Sequence, residues 1–362
     1  MIINRYLISE ISKPLAAILS ILATLFASYS AAGFLSDAVN GLLPIDTVAE
    51  MIALKALISL EVLIPVSLFI AVVLAFGKLN GDSEFTAMFA LRVTPTRVAG
   101  AVLILSAGLA VIVAGLSLVA RPWAYEKLHE LSKQAELKLD VDAMEAGTFY
   151  VGQHGNRVIF LTRRDGPASP GQDVFVKRWH DGHTQVIYAK LAYPLSPTAQ
   201  HSDSEILLND AHIYELGTED GQDDRVLTAS SIIVDPNRHD ETPLEYSSVA
   251  ASSAQLIASD LPKDIAEMQW RLSTPFSTLL LGMLGIPLSR AKPRQSKYEK
   301  FGTAILIYSG YYLVCTSART WVQHGVVAKF PGIWWAPATL ALLLLFIAFA
   351  PGIGGRIKRR WA

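Results

Sequence analysis

Six long uncharged stretches divide the chain, and the segments between them differ sharply in character. Most of these stretches are close to the roughly 20 apolar residues that a helix needs to cross a hydrocarbon core about 30 Å thick. The second reaches that length only if its helix begins near Ile52, which places Lys55 and Glu61 within or beside the span. The stretches are residues 14–36, 62–76, 98–120, 272–289, 301–318 and 330–355. The pattern predicts a polytopic α-helical membrane protein with six transmembrane helices.

Charge is scarce and unevenly distributed along the chain. Charged residues make up 17% of the 362 residues, compared with about 25% in a typical soluble domain. Residues 136–268 hold 22 of the 32 Asp and Glu but 10 of the 31 Lys and Arg, a balance of −12. The remaining residues hold 10 acidic against 21 basic side chains, or +11. The segment between the third and fourth stretches therefore differs from the rest in charge as well as in pattern.

Basic residues flank alternate ends of the six stretches, and this asymmetry orients the predicted spans. Loops rich in Lys and Arg stay on the cytoplasmic side of a membrane. Six spans then place both chain termini in the cytoplasm and residues 121–268 outside it. The basic residues concerned are Arg5 and Lys13; Lys78, Arg92 and Arg97; Arg290, Lys292, Arg294, Lys297 and Lys300; and Arg356, Lys358, Arg359 and Arg360.

Residues 121–268 change from a helical period to a period of two. Apolar side chains share one helical face over residues 121–139, and short alternating runs begin near Thr148, separated by turn-forming residues such as AsnAsp at 209–210. Many short strands without long helices are typical of a β-sandwich or jelly roll. The candidate strands are 148–151, 157–161, 173–179, 185–193, 205–208, 211–216 and 226–234. We therefore divide the chain into transmembrane residues 1–120, an external all-β jelly-roll domain with its helical extension at 121–268, and transmembrane residues 269–362.

The sequence GKLNGDSEFTAMFALRVTPTR at 77–97 interrupts two apolar stretches and predicts a short amphipathic helix at about 82–93. Gly77 and Gly81 end the preceding helix, and Asp82 or Ser83 is placed to cap the next one. Glu84 falls in its first turn, where a negative charge suits the helix dipole. Three apolar side chains then share one face, namely Phe85, Met88 and Phe89. Such a stripe packs either into the bilayer surface or into the groove of a partner protein.

Several short motifs in their order along the chain give a resemblance to a known family. They are MIINRYL at the start, IPVSLF at 64–69, GlyLysLeu at 77–79 with SerGlu at 83–84, QWR at 269–271, PLS at 287–289 and PRQ at 293–295. In these motifs the chain resembles, from end to end, the lipopolysaccharide-export permeases of Gram-negative bacteria, the LptF/LptG family. GlyLysLeu and the short N-terminus are more similar to the F-type than to the G-type branch.

The resemblance implies a multi-pass permease of an ABC transporter in the bacterial inner membrane, with its jelly roll in the periplasm. Its expected partners are the paralogous permease LptG, a dimer of the ATPase LptB, the transmembrane helix of LptC, and a periplasmic β-bridge. The cargo is lipopolysaccharide, which the complex extracts from the membrane and passes through the jelly rolls to that bridge. The family's loop glutamate matches Glu84 and contacts the ATPase. The implied ATPase-coupling residues are Glu84, Phe85, Met88, Phe89 and Arg92.

Motifs for nucleotide or metal chemistry are absent from the sequence. GlyLys at 77–78 lacks the first glycine and the hydroxyl ligand of a GxxxxGK[ST] phosphate loop, so ATP and magnesium are expected in the partner ATPase. No HExxH or GxSxG occurs. We predict no catalytic residue, metal site or cofactor in this chain, which is not expected to be an enzyme or to bind nucleic acid. The alternatives are an ion-coupled secondary transporter and a membrane-bound lipid-modifying enzyme.

A lipid with phosphorylated sugars needs cations near the outer membrane surface and apolar walls elsewhere. Arg319 lies at the outer end of the fifth stretch, and Arg271 lies beside Trp270 at the start of the fourth. Either a phosphate contact or plain interfacial anchoring accounts for each arginine. In the β domain, Phe160 and Ile187 are candidate inward-facing positions on the lipid path. A solvent-facing sandwich without a ligand is the alternative there.

Two further features have more than one interpretation. Family members often carry basic residues near the outer end of the first span, where this sequence has Ser30 and Gly33. Those headgroup contacts are either lost or supplied by the partner permease. Glu61 is an ionisable residue within a span, which normally marks function. It faces a lipid cavity, pairs with Lys55, or lies near the outer headgroups.

Overall fold

The computed structural model describes residues 2–39, 43–137, 147–151, 157–163, 169–180, 183–194, 206–217, 224–234, 247–289 and 299–360. Its helices are α1 (Ile2–Val39), α2 (Ile45–Gly81), α3 (Glu84–Ala90), α4 (Pro95–Gly115), α5 (Arg121–Leu137), α6 (Ser253–Ala258), α7 (Pro262–Leu288), α8 (Glu299–Gln323) and α9 (Trp335–Arg360). A π-helical turn, Leu116–Ala120, joins α4 to α5. The chain forms two compact units, a helical bundle of Met1–Ala27, Leu54–Glu126 and Tyr246–Ala362, and a second unit of Ser28–Ala53 and Lys127–Glu245.

The long helices fall where the sequence predicts spans. Within the described ranges, four helical segments are long and apolar enough to cross a membrane, namely Ile2–Val39, Ile45–Gly81, Pro95–Gln134 and Phe301–Gln323. The last predicted span corresponds to α9, whose apolar part is Trp335–Ile347. The fourth corresponds to α7, whose 27 residues extend about 40 Å and include the buried charges Glu267 and Arg271. The predicted architecture, a polytopic helical membrane protein with an inserted β domain, is confirmed.

Helix α7 packs against α4, α8 and α9, and two glycines allow its backbone to approach the neighbouring helices. A Cβ atom added at Gly282 would overlap Ser106 Oγ of α4 and lie 3.2 Å from Leu68 Cδ2 of α2. One added at Gly285 would lie 2.8 Å from Val72 Cγ1. Small residues at such positions are a common means of close helix packing in membranes. The spacing between α7, α4 and α2 therefore depends on these two glycines.

Toward the C-terminal end of α2, the helices α1 to α4 share an apolar cluster. Leu7 and Ile11 of α1 are fully buried in it, together with Phe76 and Leu79 of α2 and Phe85 of α3. The rings of Phe85 and Phe76 meet edge to face, with centroids 5.0 Å apart. The short helix α3 is thus fixed to the bundle by its first aromatic side chain.

Left-handed residues flank α3 on both sides. Ser83 precedes it with φ 61° and Arg92 follows it with φ 61°. The predicted capping by Ser83 is wrong, because this residue makes no side-chain cap hydrogen bond and a capping serine needs an extended backbone. The left-handed conformation costs a residue other than glycine about 1–2 kcal/mol. The two backbone reversals set α3 apart from α2 and α4 as a separate short element.

The strands of the inserted domain form one antiparallel sheet in the described part of the chain, with neighbour order β1-β2-β3-β4-β5-β6. They are β1 (Phe149–Val151), β2 (Arg157–Arg163), β3 (Gly171–His180), β4 (His183–Pro194), β5 (Ile206–Gly217) and β6 (Arg225–Val234). Nine apolar side chains make its core: Ile159, Leu161, Val174, Ile187, Ala189, Ala192, Leu208, Ala211 and Ile213. The second sheet of a sandwich is not seen among these strands. Among the described strands, β1 and β6 form the two edges.

The alternation of inward and outward side chains is interrupted at paired positions of neighbouring strands, which together form one row across the sheet. In β4 the core residue after Ala189 is Ala192, and in β5 the core residue before Ala211 is Leu208. A spacing of three replaces the usual two in both strands. The register does not slip, since Ala189 pairs with Ala211 on one side of the row and Leu191 pairs with Asn209 on the other. The alternation therefore changes at the same place in neighbouring strands, and the buried side chains stay on one face of the sheet on both sides of that row.

Two aspartates in a left-handed conformation produce this break. Asp210 has φ 55° in β5 and Asp173 has φ 49° in β3, a conformation that Asp tolerates better than most residues. The Tyr188 hydroxyl donates to Asp173 Oδ1 at 2.8 Å, and this hydrogen bond raises the pKa of Tyr188. The prediction of separate strands at 205–208 and 211–216 is wrong, because Asp210 kinks the strand without ending it.

We predict that Gly282→Ala destabilises the bundle while Gly108→Ala does not. The added methyl group at position 282 must displace Ser106 or separate α7 from α4, at a cost of about 1–3 kcal/mol. A Cβ atom at Gly108, on α4, meets nothing within 4 Å. The measurement is the free energy of unfolding of the purified full chain in detergent. Equal stability of the two variants would contradict the close approach of α7 to α4.

Candidate functional site

A buried carboxylate on α7, Glu267, is shared by three arginines. Arg271, one turn further along α7, donates from Nε to Oε1 at 3.0 Å. Arg319 of α8 donates from Nη2 to Oε2 at 2.7 Å, and Arg121 of α5 places Nη2 3.4 Å from Oε1. The Glu267 side chain has no exposed surface. One carboxylate therefore ties α5, α7 and α8 together.

Arg121 also connects this cluster to a second buried carboxylate, Glu61 of α2. Its Nη1 lies 3.2 and 3.0 Å from the two oxygens of Glu61, and Ser117 Oγ donates to Oε1 at 2.8 Å. Ser117 lies in the π-helical turn that precedes Arg121, and such turns often occur at functional sites. Among the alternatives for Glu61, the structure assigns an ion pair with Arg121 rather than with Lys55. Lys55 Nζ lies 5.8 Å from the ring centroid of Tyr125.

The guanidinium of Arg271 is enclosed by protein atoms. Besides Glu267, it donates from Nη1 to Ser253 Oγ at 3.2 Å. Its Nη2 donates to the carbonyl oxygens of Ser248 at 3.3 Å and Val249 at 3.0 Å. The side chain is fully buried. Its predicted contact with a lipid headgroup stays a prediction, and in this conformation Arg271 holds the segment before α6 against α7.

Arg319 differs from the other two arginines because part of it remains accessible. Its side chain is 21% exposed, and its guanidinium lies 5.2 Å from the ring centroid of Trp270. Within the described residues, its Nε atom has no hydrogen-bond partner. The cluster contains three positive arginines and two negative carboxylates, Glu267 and Glu61, so it carries one excess positive charge. Arg319 is the member through which that charge reaches the surface.

A cleft between α2, α7 and α8 lies next to this cluster. It encloses about 370 Å³, including the space at its mouth, and is walled mainly by aromatic and hydroxyl side chains. The lining residues are Val62, Pro65, Trp270, Ser273, Thr274, Ser277, Leu281, Tyr308, Tyr311, Tyr312 and Cys315. Ser277 and Tyr311 share a short hydrogen bond across it. Trp270 belongs to both features, so the apolar cleft adjoins the cationic Arg319.

The predicted coupling residues occupy different environments around α3. Phe85 is buried and Met88 is partly buried in the apolar cluster, whereas the Phe89 ring is 45% exposed. Glu84 is partly exposed and accepts a hydrogen bond from the Tyr6 hydroxyl at 2.7 Å. Arg92 is exposed at the left-handed turn that follows the helix. The predicted apolar stripe is therefore only partly buried: Phe85 packs into the bundle, and Phe89 stacks on the outer side of Phe85 with ring centroids 5.9 Å apart.

The two predicted lipid-path residues lie on opposite faces of the sheet. Ile159 pairs with Val176, which pairs with Ile187, so these three side chains share one face. Phe160 follows Ile159 in β2 and therefore points to the other face. Its ring stacks on Phe149 with centroids 4.3 Å apart. Ile187 belongs to the buried core and Phe160 does not.

The residues of these sites that the sequence analysis missed include Arg121, Glu267 and Tyr6. Arg121 directly follows the third apolar stretch, where an arginine commonly snorkels toward the headgroups. The one sequence feature that pointed to Arg121 was the charge of Glu61 in another span, which needs a cationic partner. Nothing in the sequence relates Tyr6 to a loop 78 residues further on. In the described part of the chain, no three His, Cys, Asp or Glu side chains are placed to hold a metal ion.

Long apolar helices, a buried charge cluster at one end of the bundle and an inserted β domain define a polytopic membrane protein. Residues 5–349 match the model of the lipopolysaccharide export system permease LptF/LptG, and the chain belongs to this family. It is 27% identical to the lipopolysaccharide export system permease protein LptF of Escherichia coli K12, over 96% of this chain and 94% of that protein. The match to the protein of the same name from Shigella flexneri has the same extent.

We predict that Glu267→Gln destabilises the bundle far more than Glu130→Gln. The first substitution leaves the buried guanidinium groups of Arg121 and Arg271 and the partly exposed one of Arg319 facing a neutral amide, and breaking such a buried pair costs about 3–5 kcal/mol. Glu130 pairs with Lys127 at 2.8 Å on an exposed surface, where ion pairs contribute little. The measurement is thermal unfolding of the purified chain in detergent. Equal midpoints for the two variants would show that the network does not hold the helices together.

Proposed function

We propose that this chain is the non-catalytic permease subunit of an ABC transporter that extracts lipopolysaccharide from the bacterial inner membrane. An ATPase dimer of the LptB type supplies the energy, with its own ATP and magnesium. A paralogous LptG-type permease and the transmembrane helix of an LptC-type protein complete the assembly. The lipid then passes through the β domain to a periplasmic β-bridge. Family membership supports the export system, and α3 is the observation that carries the coupling to a partner.

Helix α3 has the properties that a mechanical coupling element needs. Its inner side is anchored by Phe85 in the apolar cluster, so a displacement of α3 must also move α2 and α1. Its outer side presents Phe89 and the Glu84 carboxylate. An aromatic ring beside an acid suits a groove that has an apolar wall and a basic side chain. We propose that this surface docks into the ATPase, with Arg92 at its rim.

The charge network supports a headgroup contact at Arg319. Its planar guanidinium binds phosphate oxygens in pairs, and the excess positive charge of the network favours an anion there. Arg271 is the weaker of the two candidates because its nitrogens are already engaged by Glu267, Ser253 and main-chain carbonyls. We propose that Arg319 meets a lipid phosphate, and that Ser30 and Gly33 leave the other headgroup contacts to the partner permease.

The edge of the sheet supports a β-bridge partner. β6 is ten residues long, whereas the opposite edge strand β1 has three. An unpaired edge strand is a template for a strand from another protein. Val226, Leu227 and Ile233 of β6 are exposed apolar side chains that a docked strand would cover. We propose that β6 is where the bridge begins.

The distribution of charge supports a topology with both termini in the cytoplasm and the β domain in the periplasm. The end of the bundle that carries α3 holds Arg5, Lys13, Lys78, Arg92 and Arg97, as expected of a cytoplasmic face. An ion-coupled transporter would instead use its intramembrane carboxylates for ion binding. Both Glu61 and Glu267 are paired with arginine here, which favours the ATP-driven alternative.

Glu84→Lys is expected to release the ATPase from the membrane complex. A lysine there would face the basic side chain that we propose as the partner of Glu84, and like charges in contact reduce affinity about tenfold or more. The measurement is the amount of ATPase that co-purifies with the permeases. Glu130→Lys, which makes the same charge change on an exposed face of α5, is the control and retains the ATPase. Full co-purification with normal export in Glu84→Lys would refute the coupling assignment.

A photocrosslinker at Ile187 is expected to capture lipid only when ATP is hydrolysed. One at Phe160, on the opposite face, is expected to capture little, because a lipid bound in a single trough contacts one face of the sheet.

Arg319→Gln is expected to lower the yield of crosslinked lipid at Ile187 about fivefold or more, since a charge-assisted contact to phosphate is lost. Lys329→Gln, which removes an exposed cation paired with Asp260, leaves it unchanged. Equal capture at both sheet positions, or no effect of Arg319→Gln, would contradict this lipid path.

A further inference from the structure

The first turns of α1 contact the coupling segment through two polar pairs. The Tyr6 hydroxyl donates to Glu84 Oε2 at 2.7 Å. One turn further along α1, Glu10 accepts from Lys78 Nζ at 2.5 Å and from Lys13 Nζ at 3.3 Å. Lys78 lies in the last turn of α2. Helix α1 is thus attached to the residues on both sides of the turn between α2 and α3.

Packing fixes the orientation from which these groups act. Residues four apart on a helix lie on the same face, and this places Tyr6 and Glu10 together. Leu7 and Ile11, which alternate with them along the helix, are fully buried in the apolar cluster with Phe85. Rotation of α1 about its axis would remove both leucine and isoleucine from that cluster. The Tyr6 hydroxyl therefore approaches α3 in a fixed direction.

The Glu84 carboxylate has the capacity for two partners at once. A carboxylate offers two oxygens with about four acceptor sites, and Tyr6 uses one site on Oε2. In the part of the chain that the structure describes, Oε1 accepts no hydrogen bond, so its lone pairs are left for a second donor. A hydrogen bond from one side also restricts the rotamers of a flexible side chain, so less conformational entropy is lost when that second donor arrives.

We propose that Tyr6 is a positioning residue for the coupling site: it orients Glu84 toward a cationic side chain of the ATPase and transmits the displacement of α3 to α1. The inference rests on the proposed function, in which Glu84 meets that ATPase. It adds a second helix to the coupling element, since Phe85 connects α3 to α2 and Tyr6 connects it to α1. The Glu10–Lys78 pair holds α1 against the end of α2 so that Tyr6 stays in reach.

The first test needs no partner ATPase. Tyr6→Phe removes the hydroxyl group and keeps the ring, and Tyr214→Phe makes the same change at an exposed site in the β domain. We expect Tyr6→Phe to raise deuterium exchange at the backbone amides of residues 84–90 about three- to tenfold, which corresponds to the loss of one net hydrogen bond. Tyr214→Phe leaves this exchange unchanged. Unchanged exchange in Tyr6→Phe overturns the proposal, whatever the ATPase binds.

The second test uses the complete complex and measures lipid exported per ATP hydrolysed. Tyr6→Phe is expected to lower this ratio about threefold or more while the ATPase still co-purifies. Glu84→Gln lowers it as well, and the double variant falls no further, because Tyr6 acts only through Glu84. Independent, multiplying losses from the two substitutions would assign Tyr6 a merely structural role and overturn the proposal.

Comparison of Glu84→Lys with Tyr6→Phe separates this inference from the proposed function. Retention of the ATPase in Glu84→Lys refutes the coupling assignment itself, and with it any orientation of Glu84 toward that partner. Release of the ATPase in Glu84→Lys, together with a normal export ratio in Tyr6→Phe, refutes the positioning role alone.

Discussion

The arrangement of the helices depends on the buried carboxylate of Glu267. Charges removed from water are stable only when they are paired and hydrogen-bonded. Glu267 meets three guanidinium groups, and Arg121 extends the network to Glu61. The four helices that carry these residues, α2, α5, α7 and α8, can pack in few other ways without leaving a buried charge unpaired. Such a network gives the bundle a specific geometry rather than a large gain in stability.

The two ends of the bundle have different physical character, and close packing connects them. At the Arg319 end the helices are held by charge, and one cation remains partly exposed beside an aromatic cleft. At the α3 end they are held by apolar contacts around Phe85, with polar pairs from α1 at the rim. Between the two ends, Gly282 and Gly285 let α7 pack closely against side chains of α4 and α2. In the proposed function, motion applied at α3 reaches the lipid through these packed helices.

The sequence was most informative where a pattern is local. Apolar length predicted the helices, and the period of two predicted most strands of the inserted domain. AsnAsp at 209–210 was recognised as a conformational break, but its consequence was misjudged. A strand continues through a left-handed residue when the neighbouring strand changes its inward and outward alternation at the paired position. β4 does so at the position that faces Asp210 of β5. That information lies in the pairing of strands and is absent from either strand alone.

The sites were less predictable because their partners are distant in sequence. Glu61 and Arg121 are 60 residues apart, and the only cation that spacing suggested as a partner for Glu61 was Lys55 on the same helix. The stripe at Phe85, Met88 and Phe89 was correct as a pattern, but the bundle uses its first ring and leaves the third outside. Phe160 and Ile187 were both predicted to face inward because both are apolar. Which face of the sheet each side chain occupies depends on how β2, β3 and β4 pair, and the sequence of a single strand does not give that pairing.

In the proposed function, this chain converts the motion of a separate ATPase into movement of lipid and hydrolyses no ATP itself. The most direct measurement is lipopolysaccharide extraction from proteoliposomes that hold the whole complex, with the partner ATPase intact or unable to hydrolyse ATP. We expect extraction to require hydrolysis and to be unaffected when ionophores collapse ion gradients. Extraction that continues with the disabled ATPase and stops with the ionophores would contradict the account.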